Sequence, residues 1–320
     1  MILATLPGES RDGRLHVVSA GCRFMAPALA APTMLLALEK WSTVEPELRK
    51  QSAALTGEGA GAMAFAAEKC LAPLPRGYGF FDGSAFLSHV IRARRARGDE
   101  MPESAKKTPL VYQGVSDNSL PWNAPLDVVD EAFGADFEGE FAVITTDVPR
   151  GTKPADMAKY CPLVVMFNDI TLREVVKQEI ETKFGFLQSK PNNSYAPLAI
   201  TTDELGVDWK DGRVALDLEV TWNGEKFGHP NGREMHFSFY ELVSHVCRTR
   251  PLSAGTIVGS GTISNEDVSR GFACLTERRF VEVLEQGKPV TRWLKAGDTL
   301  TMTARQGDRD LFGRIDQKVR

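Results

Sequence analysis

From residue 71 onward the chain is a succession of short β-branched runs with few helical patterns between them, and this limits the fold more than any other feature. The runs at 140–145, 163–167, 198–202, 214–221 and 299–304 are bounded by Gly, Pro, Asp or Asn, as strands usually are. Two helical patterns interrupt them. One covers 84–97; the other covers 238–248, opening on Ser238 with Glu241 three residues on as a capping box and stopping before Pro251. A doubly wound parallel sheet needs a helix after nearly every strand. That arrangement is excluded, and a large β-rich domain of the α+β class is expected over 71–320.

The first 70 residues predict a smaller α+β unit. Runs 2–5 and 14–19 read as strands joined through Asp12-Gly13, a pair that favours positive φ. Helices are expected near 32–40 and 44–55, the first opened by Pro32 at N1 and presenting Met34, Leu35, Leu38 and Trp41 on one apolar face. The glycine-rich stretch 56–64 contains Gly57, Gly59 and Ala62 in a loose dinucleotide-binding spacing. That fingerprint requires a strand before it, and a helix precedes it here, so the stretch reads as a linker.

Composition narrows the function. Lys and Arg number 38 against 42 Asp and Glu, a net charge of -4, which argues against a basic nucleic-acid binder. The cysteines Cys22, Cys70, Cys161, Cys247 and Cys274 have no C-x-x-C spacing and suit a reducing compartment. The first twenty residues carry charges where a signal peptide needs an apolar region. The uncharged stretch 24–38 holds Pro27 and Pro32 and is too short for a membrane helix. A cytoplasmic protein with no membrane and no nucleic-acid partner is expected.

Several residues stand out as chemistry. Glu138-Gly139-Glu140 leads into a strand, so both carboxylates project to one face; the pair reads as a solvated edge or as half of a cation site. Asp169 ends the apolar run LVVMF, a position shared by turn residues and by ligands held on a rigid strand. Asp82 and His89 are seven residues apart, nearly two helical turns, and face one cavity if the helix starts between them. The other four histidines have no acid at a comparable spacing that suggests a pocket. Gly259-Ser260-Gly261-Thr262 lacks the lysine of a P-loop and reads as a tight turn, or as backbone donors for a carboxylate. Arg92, Arg94, Arg95 and Arg97 form a basic cluster without interleaved aromatics, mostly solvated surface, with one arginine available to clamp a substrate carboxylate.

Taken in order, FFDGSAFLSH (80–89), FEGEFAVIT (137–145), LVVMFNDITLRE (163–174), GFLQSKP (185–191), GHPNGREMHFSF (228–239), TRPLSAGTIVGSGTIS (249–264) and LFGRIDQKV (311–319) resemble the fumarylacetoacetate hydrolase family. The likeness spans about 71–320, and the leading unit is similar to the small N-terminal domain of fumarylacetoacetases. The resemblance implies a mixed β-sandwich roll as the catalytic fold. It implies metal ligands at Asp82, Glu138, Glu140 and Asp169, hard oxygen donors suited to Mg²⁺ or Ca²⁺. It further implies a general base at His89 partnered by Glu277, an active-site lysine at Lys190 and a supporting arginine at Arg173. Substrate contacts fall on Tyr112 and Thr262, with Arg97 as the nearest candidate for the carboxylate-binding arginine. Two polar substrate contacts of animal fumarylacetoacetases fall near Val176 and Ile180, which cannot hydrogen-bond.

What the resemblance implies for function is metal-dependent hydrolysis of a carbon–carbon bond in a β-diketo acid by a homodimer. The first expectation is fumarylacetoacetate cleaved to fumarate and acetoacetate, in aromatic amino-acid degradation. Acylpyruvate hydrolysis, oxaloacetate decarboxylation and 2-oxo acid hydration are alternatives within the superfamily. A non-catalytic metal-binding protein of the same fold is a third.

Overall fold

The computed structural model describes residues 1–57 and 61–320. In chain order the strands that carry the architecture begin with β1 (Ile2–Leu6), β2 (Arg14–Val18), β3 (Phe24–Pro27), β4 (Met63–Ala64), β5 (Gly79–Gly83), β6 (Val111–Gly114) and β7 (Gly139–Ile144). They continue with β8 (Leu163–Asn168), β9 (Leu198–Thr201), β10 (Leu218–Trp222), β11 (Glu225–Gly228), β12 (Thr256–Gly259), β13 (Thr299–Gln306) and β14 (Arg309–Lys318). The main sheet runs β4-β3-β2-β1-β9-β8-β7-β12-β5-β6, and a second sheet runs β11-β10-β13-β14. Every neighbour on the long path is antiparallel except β12 and β5, where Gly259 lies opposite Asp82. This is the strand-rich, mixed sandwich architecture expected.

The leading strands extend the sheet of the following residues. β1 pairs with β9, Ile2 opposite Ile200, and its turn to β2 uses Gly13 at φ +66, a conformation glycine adopts at low cost. Helices α1 (Met34–Glu39) and α2 (Trp41–Ala54) cover one face of this sheet, burying Met34, Leu38, Trp41 and Leu48 with Leu3, Val17, Ile144 and Val165. Pro32 does not open α1. Thr33 is its cap, accepting the Leu36 N–H at 3.2 Å, because a hydroxyl satisfies a free helical N–H and a proline ring cannot. Leu35 is only partly buried, and Trp41 begins α2. Of the Gly57, Gly59 and Ala62 spacing, Gly59 lies outside the described residues.

The second sheet covers the opposite face. Phe141 and Val143 of β7 pack with Leu218, Met302 and Phe312, and the Phe141 and Phe312 rings are 5.5 Å apart. Each fully buried side chain of this size contributes about 1.5–3 kcal/mol. The period of two then fixes the other face of β7, which carries Glu140, Ala142 and Ile144.

Four helices matter to the site: α3 (Leu87–Arg95), α4 (Arg173–Thr182), α5 (Phe239–Val246) and α6 (Leu275–Gln286). The capping box of α5 forms as read from Ser238 and Glu241. The helix expected over 84–97 starts only at Leu87, and the run 214–221 breaks before β10. Helices α4 and α6 are additions to the two expected. Their apolar stripes are thin: α4 buries only Val175, and α6 buries only Leu275, Thr276 and Glu277. No described helix is long and apolar enough to cross a membrane.

Candidate metal centre and its pocket

Strand register brings the acids together. Glu140 lies opposite Phe167 in β8, Asp169 follows the end of β8, and Asp82 sits in β5 between Gly259 and Tyr112 on its two neighbours. Asp82, Glu140 and Asp169 are all buried and place an oxygen each within 4.8 Å of one another. Beneath them the Phe80 and Phe167 rings meet edge to face at 5.7 Å, and Phe167 stacks on Tyr195 at 5.4 Å. Carboxylates crowded over an aromatic floor resist ionisation. Burial, then the charge of Asp169, pushes Asp82 up to about 7. Burial, then Asp82 and Asp169, holds Glu140 well above the carboxylate range. Asp169 is raised by burial even against the adjacent Lys190.

Glu138 stands apart from this trio, in contrast to the four-ligand set implied. Its carboxylate accepts from Arg173 at 2.7 Å and from Lys190 at 2.9 Å. Burial opposes its ionisation, but these two cations outweigh burial and hold its pKa below the usual range. Lys190 also donates to Asp169 Oδ2 at 2.5 Å. The Lys190 ammonium stays charged for the same reason: burial lowers its pKa, but Asp169 and Glu138 raise it further. Tyr112, expected to face substrate, donates its hydroxyl to Asp169 at 2.8 Å. The Gly261 N–H serves Asp82 Oδ1 at 2.9 Å, so the glycine-rich turn holds a cluster acid.

The trio fits a hard divalent cation. Both Glu140 oxygens are buried with no hydrogen-bond donor among the described residues; the Asp82 carboxylate beside them can share a proton but not a second negative charge. Gly259 supplies room, since a Cβ there would lie 2.5 Å from Asp82 Oδ1 and 3.2 Å from Glu140 Oε2. Oxygen-only donors favour Mg²⁺, Ca²⁺ or Mn²⁺ over zinc.

His89 and Glu277 face each other from α3 and α6, with Nδ1 3.4 Å from Oε2. That separation is loose, as in many ligand-free dyads. Glu277 is fully buried, and its other oxygen accepts from Arg92 and from Ser264, both at 2.5 Å. Burial raises the Glu277 pKa, but His89, Ser264 and Arg92 overcome it and leave the net shift downward. Arg92, read from sequence as part of a surface cluster, is thus a half-buried clamp on Glu277. Asp136 was missed: it accepts the N–H groups of Leu275 and Thr276, capping α6, and pairs with Arg173 at 2.8 Å. The signal was present as acids at 136, 138 and 140, one face of a strand.

Asp82, His89, Tyr112, Glu138, Arg173, Lys190 and Thr262 all line one cavity of about 490 Å³. Thr262 Oγ1 is buried there without a partner among the described residues. Arg97 reaches the rim at the end of α3, its guanidinium 5.9 Å from the Phe280 ring centroid. Burial, with Arg173 nearby, lowers its pKa. Val176 and Ile180 also line the cavity and present an apolar wall.

Residues 80–320 match the family described as fumarylacetoacetate (FAA) hydrolase C-terminal, and residues 1–76 match fumarylacetoacetase N-terminal domain 2. A fumarylacetoacetate hydrolase from psychrophilic Exiguobacterium antarcticum superposes with a TM-score of 0.70 at 16% identity, covering 100% of this chain and 99% of that one. Maleylpyruvate hydrolase from Sphingobium sp. SYK-6, in complex with manganese (II) ion and pyruvate, superposes at 0.63 with 15% identity over 100% and 98%. A 2-hydroxyhepta-2,4-diene-1,7-dioate isomerase from Mycobacterium marinum does so at 0.60 with 14% identity over 100% and 98%. In sequence, an uncharacterized protein of Archaeoglobus fulgidus is 28% identical over 128 residues, 40% of this chain; the match spans 47% of that relative's length.

Proposed function

The chain belongs to the fumarylacetoacetate hydrolase family, and we propose that it hydrolyses a carbon–carbon bond in a β-diketo acid with the help of a divalent cation. The observation that carries this reading is the convergence on one cavity of His89, the Lys190 ammonium and the carboxylate of Asp82, with Glu277 behind the histidine and Glu140 and Asp169 beside Asp82. Fumarylacetoacetate is the substrate its family suggests first, and acylpyruvates share the diketo core.

Asp82, Glu140 and Asp169 would hold the cation, with Glu138 beside them. A cation there supplies Lewis-acid stabilisation of a developing enolate. His89 turns Nδ1 to Glu277, which leaves Nε2 to take a proton from water. The hydroxide adds to the carbonyl, and the ammonium of Lys190 donates to the resulting oxyanion. The carbon–carbon bond then breaks, its electron pair passes to the departing enolate, and that carbon takes the proton that His89 removed from water. Thr262 Oγ1, buried and free, positions the substrate. A homodimer belongs to the same reading, and sedimentation checks it.

The test is an ultraviolet assay with fumarylacetoacetate, an acylpyruvate and oxaloacetate, each with divalent metal and after its complete removal by EDTA. Metal-dependent loss of the diketo absorbance supports the reading. Turnover of oxaloacetate alone would make the protein a decarboxylase, and metal binding without any turnover a non-catalytic relative.

A further inference from the structure

A second cavity adjoins the first and is not needed for the chemistry. It measures about 590 Å³ and shares His89, Ala93, Arg97, Arg173, Val176 and Ile180 with the catalytic cavity. Cavities of roughly 300–1,000 Å³ each hold a whole small ligand. The first alone therefore has room for a compact diketo acid, and the second adjoins it through their shared lining.

The walls of this annex are largely apolar. Phe280, Val283 and Trp293 line it opposite Val176 and Ile180 of α4. The Phe280 ring forms the neck, 6.0 Å from the His89 ring on one side and 5.9 Å from the Arg97 guanidinium on the other. Three of its four cations are committed elsewhere. Arg173 pairs with Asp136 and Glu138, Lys177 with Glu174, and Arg279 bonds the Thr291 carbonyl while stacking 3.9 Å over Trp293. Only Arg97 lacks a polar partner among the described residues, and its planar head over Phe280 presents a face to a flat group.

We infer that the annex is a subsite for a bulky apolar, preferably aromatic, acyl tail, so that the preferred substrate is a diketo acid carrying such a tail. The acidic and diketo end then lies over the carboxylate cluster, while the tail passes His89 and rests between Phe280 and Trp293. This specificity rests on the diketo-acid reading above. The annex itself is a property of α3, α4 and α6 and can be tested without that reaction.

The test compares 2,4-dioxo acids with methyl, phenyl and carboxyvinyl tails on the metal-loaded full chain. The phenyl tail is expected to exceed the methyl tail in kcat/KM by about tenfold or more. Val283 and Ala96 line only the annex; Val283→Phe and Ala96→Leu should each raise KM for the phenyl tail about tenfold and leave methyl-tail kinetics within about twofold. Equal methyl and phenyl rates, a faster carboxyvinyl tail, or a preference that survives both blocking variants would overturn the inference. If no dioxo acid is turned over, the reaction fails on its own and binding decides the annex. In that case 4-phenyl-2-oxobutanoate, but not pyruvate, should quench tryptophan fluorescence saturably, and Trp293→Phe should remove the effect. No Trp293-dependent quenching would reject the subsite.

Discussion

Arg92 donates from Nη1 to Glu277 Oε1 at 2.5 Å, on the oxygen turned away from His89. The Arg92 side chain is only 12% exposed and that of Glu277 is fully buried. Arg92 thus fixes which Glu277 oxygen is left for the imidazole and helps keep that oxygen ionised. It is a positioning residue, acting on His89 through Glu277. Arg92→Met should lower kcat by about 10- to 100-fold, a part of what a general base supplies, with little change in KM. Losing a cation raises the Glu277 pKa, so the acid limb of the kcat/KM profile should move to higher pH, and Arg92→Lys should recover part of both effects. An unchanged profile with normal kcat would show the pair to be merely structural.

The partnerless oxygens of Glu140 make a sharper prediction about metal. Without a cation the trio repels itself, so Glu140→Gln should be at least as stable as the parent in EDTA. In saturating Mg²⁺, Ca²⁺ or Mn²⁺ the parent should gain about 2.7 kcal/mol at a hundred times Kd, and the variant should gain almost nothing. Thermal unfolding with and without metal reads both arms. A full metal-induced shift in Glu140→Gln would remove Glu140 from the site.

Lys190 is held by Glu138 and Asp169 in a buried network. Lys190→Met removes one positive charge from among these acids, and breaking such a buried pair costs about 3–5 kcal/mol. A bound cation supplies compensating charge, so the loss of Tm should be larger in EDTA than in metal. The kcat should fall by about 10²–10³, the effect of deleting an oxyanion donor. Equal destabilisation in both conditions would place Lys190 too far from the cation to feel it.

Much of the site was legible because strand periodicity is local. The acids at 138 and 140 were assignable to one face from the glycine between them, and the Ser238–Glu241 box was readable from four residues. Pairings across the chain were not. Nothing near Ile2 announces that it will lie against Ile200, so the leading strands read as a unit closed on itself. Helices α4 and α6 escaped because they bury few side chains. Part of what ends the chain's run into α6 is Asp136, far away in sequence, accepting two of its free N–H groups. The split of Glu138 from the other three acids depends on Arg173 and Lys190 arriving from α4 and the loop after it, which no spacing within 137–145 encodes.

Acid stability of the second sheet should depend on Asp298, just before β13. It accepts both Arg292 Nη groups, at 2.6 and 2.7 Å, along with the Lys295 N–H and Asn223. Burial opposes ionisation, but these donors prevail and bring its pKa down to about 2. A carboxyl depressed in the folded state adds stability that is complete above its unfolded pKa of about 3.9 and is lost as pH falls through the folded value. Asp298→Asn should therefore lower stability at neutral pH and flatten its fall between about pH 4 and 2. A parallel fall in parent and variant, seen in urea midpoints, would assign the acid limb to other groups.

Gly259 tests whether the space beside the acids is used. It is buried in β12 with an ordinary backbone, so alanine meets no conformational penalty, only a steric one. Its Cβ would lie 2.5 Å from Asp82 Oδ1 and 2.8 Å from Phe167 Cζ. Phe167 is packed between Phe80 and Tyr195 and cannot retreat, so the Asp82 carboxylate must move. Overpacking of this kind costs about 1–3 kcal/mol. Because the displaced group is a proposed ligand, Gly259→Ala should lose more than about tenfold in metal affinity, a cost of 1.4 kcal/mol or more. Gly21→Ala, with no neighbour closer than 3.8 Å, should change neither quantity. If Gly259→Ala unfolds earlier yet binds metal as tightly as the parent, Asp82 is not a ligand, and the cation must be held by Glu140, Asp169 and a reoriented Glu138.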